Sequence, residues 1–374
     1  MRRIPVICGV LLTTALLTVH ADERPRARDL GIQPGRYTPG PLNAITDVPG
    51  VRVGHVTLVE GSSIRTGVTA IVPHGGNVFQ DKVAGAVFVG NAFGKLAGST
   101  QVQELGTIET PIVLTNTLAV GRAVDAVVGW TLEQPGNEDV RSVNALVGET
   151  NDGFLNDIRA RTVTETHVRA AIGNASDGPV AEGAVGAGTG TVCYGWKGGI
   201  GTSSRIVPIG EEEVRLGVLV QTNFGGDLVI DGVPIWRTLQ PRAANVSTGH
   251  ARGDGSVIIV VATDAAVSPR DLERLAARAV FGLARTGSSY SHGSGDYAIA
   301  FSTSPEVRVR HGERTARERR LLPSEALSPL FQAVLEATEE AVYNSMLRAE
   351  TMTGHRGTVH ALPVERVKAL LERR

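Results

Sequence analysis

The sequence predicts a layered α/β fold, on three observations. Residues 257–262 form a continuous apolar, largely β-branched run, which is typical of a strand buried on both faces. A helix, a second apolar strand at 297–301 and a long helix follow in that order, the alternation expected when helices cover sheets. The chain also contains 45 glycines and only 4% aromatic residues, which favours one tightly wound body with many close turns.

The N-terminal half contributes further strands and one helix. Apolar positions at spacings of three and four predict a helix over 120–132. Alternating or continuous apolar runs between glycine turns predict strands at 51–56, 67–72 and 84–89, with a further apolar run at 112–118.

The clearest helix start in the chain follows the 257–262 strand. Ser268 is a typical N-cap residue, Pro269 suits the first helical turn, and Asp271 supplies a capping carboxylate. This helix is expected to end near Gly287. The last long helix is predicted over 324–352.

The N-terminus has the features of an exported protein. Residues 1–21 have a basic start, an apolar core and a small-residue end at Ala21, which together predict a secretory signal peptide and a periplasmic location. The apolar core is shorter than the roughly 20 residues of a membrane-spanning helix. Residues 22–40, rich in Arg, Pro and Gly, are expected to form an extended arm that could wrap another subunit, and 41–374 a single domain.

Charge and cysteine content restrict the partners. With 37 Lys and Arg against 38 Asp and Glu, the chain offers no electrostatic reason to bind nucleic acid or an anionic membrane, so a small neutral substrate is expected. Cys8 lies in the signal segment, which leaves Cys193 without a partner for a disulfide. Cys193 is interpreted as a small buried hydrophobic residue.

No cofactor is predicted. The glycine-rich segment 186–190 is superficially similar to a dinucleotide-binding loop, but the residues after it cannot begin the required helix. We therefore interpret it as a hairpin with close strand contacts. The nine histidines are dispersed and form no metal-binding motif.

The junction at Gly255-Ser256 has the greatest chemical interest. A polar, glycine-rich segment, 251–255, precedes Ser256, and the most apolar strand follows it. If the chain is cleaved before Ser256, the new α-amine, with a reference pKa near 7.7–8.0, can serve as general base for the hydroxyl of the same residue. The local residues alone, however, favour a simple turn leading into a strand.

A resemblance reverses that preference. The chain is similar to the L-aminopeptidase/D-esterase and β-peptidyl aminopeptidase family from about Leu42 to Pro363. The segments that carry it are 50–55, 148–153, 155–158, 255–256, 293–296, 340–345 and 350–354. The resemblance implies a four-layer αββα sandwich of the DmpA/ornithine acetyltransferase-like type. It also implies self-cleavage into fragments 22–255 and 256–374, and removal of N-terminal residues from small peptides, amides or esters.

The resemblance also implies the roles of individual residues. Ser256 matches the nucleophile, Asn223 the oxyanion-stabilising asparagine, and Ser294 and Asp296 the pair that supports proton transfer at Ser256. A neutral amide suits the oxyanion, because negative charge develops there during acyl transfer. Family members often carry glutamate at the position of Asp296. Some also carry a tyrosine near 149–153, where Asn151 and Phe154 offer no phenol.

The sequence leaves open three alternatives for the site or the function. His292 and Asp296 could belong to a conventional Ser-His-Asp triad, although such a triad is defined by geometry and not by closeness in sequence. A related self-cleaving acyltransferase is a second reading, but those enzymes use threonine where this chain has Ser256. The third is a non-catalytic secreted solute-binding protein. The family resemblance and the arm together suggest a homo-oligomer of α/β pairs, expected to be a tetramer.

Overall fold

The computed structural model describes residues 24–241 and 255–373, so the predicted signal peptide lies outside the described residues. The strands are β1 (Arg52–Glu60), β2 (Ile64–Val72), β3 (Asp81–Ala92), β4 (Leu96–Ala97), β5 (Thr107–Ile108), β6 (Ile112–Asn116), β7 (Leu146–Thr150), β8 (Val192–Cys193), β9 (Trp196–Lys197), β10 (Ile200–Ile209), β11 (Glu212–Asn223), β12 (Ser256–Thr263), β13 (Gly295–Ser302), β14 (Val309–Arg310), β15 (Met352–Gly354) and β16 (Gly357–Val359). The helices are α1 (Ser99–Leu105), α2 (Val120–Leu132), α3 (Glu165–Gly173), α4 (Pro269–Ala284), α5 (Ser328–Leu347) and α6 (Val364–Leu371).

Two large sheets form the centre of the described structure. The smaller sheet has five strands in the order β1-β2-β6-β7-β4, and the larger has seven, in the order β10-β11-β12-β13-β3-β14 with β5 paired to β3. Strands β12 and β13 run parallel, whereas β11 pairs antiparallel with β12. The start of β12 therefore lies beside the end of β11 and the start of β13.

Each sheet carries helices on its outer face. Helices α2 and α3 cover the smaller sheet, and α4 and α5 cover the larger one. Side chains of β12 alternate between the two sides: Val257 and Ile259 pack toward α4 and α5, whereas Ile258 and Val260 pack toward the other sheet. The expected αββα sandwich is confirmed, and β12 is buried on both faces as its apolar run predicts.

The predicted start of helix α4 matches the structure. The Ser268 side chain accepts a hydrogen bond from the Asp271 N–H at 3.2 Å, and Pro269 occupies the first turn. The long helix predicted to end at Met352 instead ends at Leu347. The β15–β16 hairpin begins at Met352, so the chain leaves the helix before the hairpin starts.

The described part of the N-terminal arm lies along α5 of its own chain. The Ala27 N–H donates to Asn344 Oδ1 at 2.9 Å, and the Arg28 guanidinium lies 2.9 Å from the Glu340 carboxylate. Asn344 and Glu340 are four residues apart and so share one face of the helix. No helix within residues 24–241 and 255–373 is long and apolar enough to cross a bilayer.

β10 packs so closely against α5 that one added methyl group should disturb the contact. A Cβ on Gly201 would lie 1.9 Å from the Ala341 carbonyl oxygen, whereas a Cβ on Gly121 in α2 would meet no atom within 4 Å. We expect Gly201→Ala to destabilise the protein by at least about 2 kcal/mol through overpacking. The control, Gly121→Ala, should be neutral or stabilising by up to about 1 kcal/mol. Thermal melting measures both, and equal midpoints would contradict the described packing.

Candidate active site

The register of three strands brings the predicted site residues together. Ser256, the first residue of β12, lies opposite Asn223, the last residue of β11, and opposite Gly295, the first residue of β13. Ser294 and Asp296 flank Gly295 in sequence. Residues that are distant along the chain therefore meet at one end of the larger sheet, where Ser256 is buried.

The bond before Ser256 is held in a defined geometry. The Gly255 carbonyl oxygen accepts the Ser256 hydroxyl at 2.7 Å and the Gly295 N–H at 3.1 Å. A Cβ on Gly255 would lie 2.4 Å from Phe224 Cα and 2.5 Å from the Asn223 carbonyl oxygen. Glycine is therefore required here because the backbone of β11 approaches so closely.

The side chain of Asn223 is oriented by a backbone donor. The Val192 N–H donates to Asn223 Oδ1 at 3.0 Å. Because Oδ1 faces Val192, the amide nitrogen Nδ2 must point away from it. Within the described part of the chain, Nδ2 has no hydrogen-bond acceptor, so its N–H groups remain available to a ligand.

Ser294 and Asp296 form a buried pair. Ser294 Oγ donates to Asp296 Oδ1 at 2.6 Å, and Asp296 Oδ2 has no hydrogen-bond partner among the described residues. Burial raises the pKa of Asp296 to about 6, against the opposing effect of the Ser294 hydrogen bond. In the uncleaved chain described here, neither side chain hydrogen-bonds Ser256, so their predicted roles stay predictions.

A second buried carboxylate, that of Glu149 at the end of β7, lies near the strand ends that carry Ser256 and Gly295. Its Oε1 accepts the Lys95 N–H at 3.0 Å, and its Oε2 accepts the Thr117 hydroxyl. A Cβ on Gly94 would lie 3.3 Å from both Glu149 Oε1 and Gly295 Cα. Glu149 therefore faces the strand ends that carry Ser256. The sequence motifs assign Glu149 no role, although it belongs to the 148–153 segment of the resemblance.

The structure gives no support to the triad with His292. His292 is exposed, and its ring lies 6.4 Å from that of Phe93. Across the residues that the structure describes, it makes no hydrogen bond to a serine.

Asn151 is also exposed, and its side chain accepts the Gly153 N–H at 2.9 Å. A tyrosine does lie near Glu149, but it is Tyr297 of β13. A Cβ on Gly94 would lie 3.1 Å from the Tyr297 ring and 3.3 Å from Glu149 Oε1.

The fold and this cluster together define a class of enzyme. A serine starts a buried central strand, and its preceding carbonyl is held by two donors. An amide donor lies opposite the serine on β11, and two buried carboxylates lie near the same strand ends. Groups of three side chains able to hold a metal ion are not found in the described ranges. Such an arrangement is that of a serine N-terminal nucleophile hydrolase, in which one residue supplies both the nucleophile and its amine base.

The chain belongs to Peptidase family S58, whose family model matches residues 43–360. It is 41% identical to the β-peptidyl aminopeptidase of Sphingosinicella microcystinivorans over 98% of this chain and 96% of the relative. Together these matches show that the protein is an aminopeptidase.

Solved structures agree with this assignment. The L-aminopeptidase D-Ala-esterase/amidase of Ochrobactrum anthropi, described as a variant of the Ntn hydrolase fold, is 38% identical with a TM-score of 0.87, covering 94% of this chain and 99% of its own. A Pyrococcus horikoshii OT3 protein is 46% identical with a TM-score of 0.86, covering 93% and 99%. The matches to named aminopeptidases give no support to an acyltransferase or a solute-binding protein.

Replacement of Asn223 by its acid tests the amide donor. Asn223→Asp keeps the shape and the acceptor for Val192, but it removes the Nδ2 donor and adds negative charge where an oxyanion would form. We expect peptide hydrolysis to fall at least about 100-fold, as when an oxyanion-hole donor is lost, with little change in the thermal midpoint. Activity within about threefold of wild type would exclude an oxyanion role for Asn223.

Proposed function

We propose that the chain cleaves itself between Gly255 and Ser256. The mature enzyme then releases N-terminal residues from small peptides, amides or esters through an acyl-enzyme on Ser256. One observation carries this proposal: the Ser256 hydroxyl lies 2.7 Å from the Gly255 carbonyl oxygen, which the Gly295 N–H also contacts at 3.1 Å. The hydroxyl is thus beside the bond that it must break, and the carbonyl is already polarised.

This geometry supports the following course of self-cleavage. Ser256 Oγ attacks the Gly255 carbonyl carbon, and the negative charge that develops on the oxygen is stabilised by the Gly295 N–H. The Oγ proton, whose transfer the negatively charged Ser294–Asp296 pair supports, passes to the nitrogen as the C–N bond breaks, and Gly255 becomes an ester of the serine. Water hydrolyses that ester, leaving a carboxylate on Gly255 and a free amine on Ser256.

The same residues serve the mature enzyme. The α-amine of Ser256 takes the hydroxyl proton as Oγ attacks the first carbonyl of the substrate. Asn223 Nδ2 donates to the oxyanion, and the Ser294–Asp296 pair supports the ammonium formed on Ser256. Glu149, a buried carboxylate near the strand ends, is suited to bind the ammonium group of the substrate's N-terminal residue.

Location and assembly are part of the proposal. We propose that residues 1–21 direct export to the periplasm and are removed there. We also propose a homo-oligomer of α/β pairs. An exposed aromatic side chain supports the oligomer: Phe281 of α4 is 54% exposed, and its ring lies 6.5 Å from that of Phe88. Aromatic residues are enriched at subunit contacts.

Mass spectrometry of wild type beside Ser256→Ala tests self-cleavage. The wild type should give two fragments, 22–255 and 256–374, because the serine hydroxyl starts cleavage and the signal peptide is removed. Ser256→Ala should give one uncleaved chain without activity toward L-, D- or β-alanyl amides. An intact wild-type chain, or a cleaved Ser256→Ala chain, would overturn the proposal.

The raised pKa of Asp296 predicts a pH dependence of self-cleavage. Because this pKa is about 6, Asp296 is protonated below that pH and carries the required negative charge only above it. The cleavage rate of freshly made precursor should therefore decrease as the pH falls through about 6. Asp296→Asn should cleave at least about 10-fold more slowly at neutral pH and lose this dependence. If the dependence persists unchanged in Asp296→Asn, another group is responsible.

A further inference from the structure

Lys197 is a buried charged residue that the mechanism above does not use. Its ammonium donates to three backbone carbonyl oxygens, those of Gly188 at 3.0 Å, Thr191 at 3.0 Å and Gly198 at 2.7 Å. These bonds account for all three of its N–H groups. Burial of a lysine is unfavourable unless each donor is satisfied, so the ammonium and the three carbonyls form one fixed unit.

The Lys197 ammonium and these carbonyls lie at the base of the β8–β9 hairpin, which packs against the end of β11. Residues 222–224, the last two of β11 and the residue after them, hydrogen-bond to residues in the hairpin or just after it. The contacts are Thr222 N–H to Gly199 O at 3.0 Å, Val192 N–H to Asn223 Oδ1 at 3.0 Å, and Tyr194 N–H to Phe224 O at 2.7 Å. The backbone and side-chain position of Asn223 therefore depend on where the hairpin lies.

Lys197 is close to the link that orients the asparagine. It pairs with Val192 across the hairpin, and it binds the carbonyl of Thr191, the residue that precedes Val192. Movement of that segment would move the Val192 N–H, the group that holds Asn223 Oδ1. A shift of about 1 Å in a catalytic group can reduce a rate about 100-fold.

We propose that Lys197 is a positioning residue that acts through Asn223: by holding three carbonyls at the base of the hairpin, it keeps the Asn223 amide directed at the oxyanion. The inference rests on the proposed oxyanion role of Asn223. Burial also lowers the pKa of Lys197 to about 7. An apolar residue would avoid this desolvation, which is consistent with the lysine being retained for geometry.

The first test is Lys197→Met, with Lys82→Met as the matched control. Lys82 is also largely buried and donates to a backbone carbonyl, that of Phe79, but it lies at the end of β3 far from Gly295. In the full, self-cleaved chain, Lys197→Met should lower kcat for peptide hydrolysis by about 10- to 100-fold, with KM within about twofold of wild type. Lys82→Met should stay within about twofold in both.

A double-mutant cycle with Asn223→Ala separates positioning from general structural damage. If Lys197 acts through Asn223, adding Lys197→Met to Asn223→Ala should change kcat for peptide hydrolysis by less than about twofold. Multiplied losses would overturn the proposal. Lys197→Gln, which keeps two N–H donors, should retain more activity than Lys197→Met and is used if the latter is insoluble. If neither variant yields folded protein by circular dichroism, Lys197 is required for folding alone and the proposal fails.

The outcomes distinguish this inference from the proposed function. If wild type remains uncleaved, or if Ser256→Ala still cleaves, the proposed function fails whatever Lys197 does. If self-cleavage requires Ser256 and kcat falls in Asn223→Ala, but Lys197→Met behaves like Lys82→Met, only the inference about Lys197 fails.

Discussion

The hydrogen-bonded register of β11, β12 and β13 is the constraint on which the active site depends. It places Ser256 opposite both Asn223 and Gly295, and it gives the Gly255 carbonyl its Gly295 donor. A slip of one residue in β12 would turn the Ser256 side chain to the other face of the sheet. It would also move each apolar side chain of β12 into the layer on the opposite side. The site is therefore as rigid as the sheet that carries it.

The layers on either side of β12 maintain that register. Val257 and Ile259 fill the space beneath α4 and α5, while Ile258 packs between the sheets, close to Gly148. Gln221, two residues before Asn223, adds a polar connection. Its amide nitrogen lies within hydrogen-bond distance of oxygens of Thr115, Thr150 and Ala187 at 2.9–3.1 Å, which join the larger sheet to β6, β7 and the glycine-rich segment.

Burial gives the polar groups of the site their chemical character. Asp296 is buried, and one of its oxygens has no hydrogen-bond partner in the part of the chain that the structure describes, so neighbouring groups feel its charge more strongly than that of a solvated carboxylate. Glu149 is buried but satisfied by Lys95 and Thr117. Two carboxylates at one sheet end thus have different surroundings, which suits one to assist proton transfer and the other to bind a cation.

Local sequence determined much of the secondary structure, including the strand that begins at Ser256. The β-branched run after Ser256 is typical of a buried strand, and the Ser268–Asp271 cap and the apolar period of α2 depend on neighbours within one or two helical turns. The family resemblance named the site residues. Tertiary structure alone decided the Asn223–Ser256–Gly295 alignment, the burial of Asp296, and the places of Glu149 and Lys197. These depend on contacts between residues far apart in the chain, and such contacts follow from strand pairing and layer packing, which no local pattern encodes.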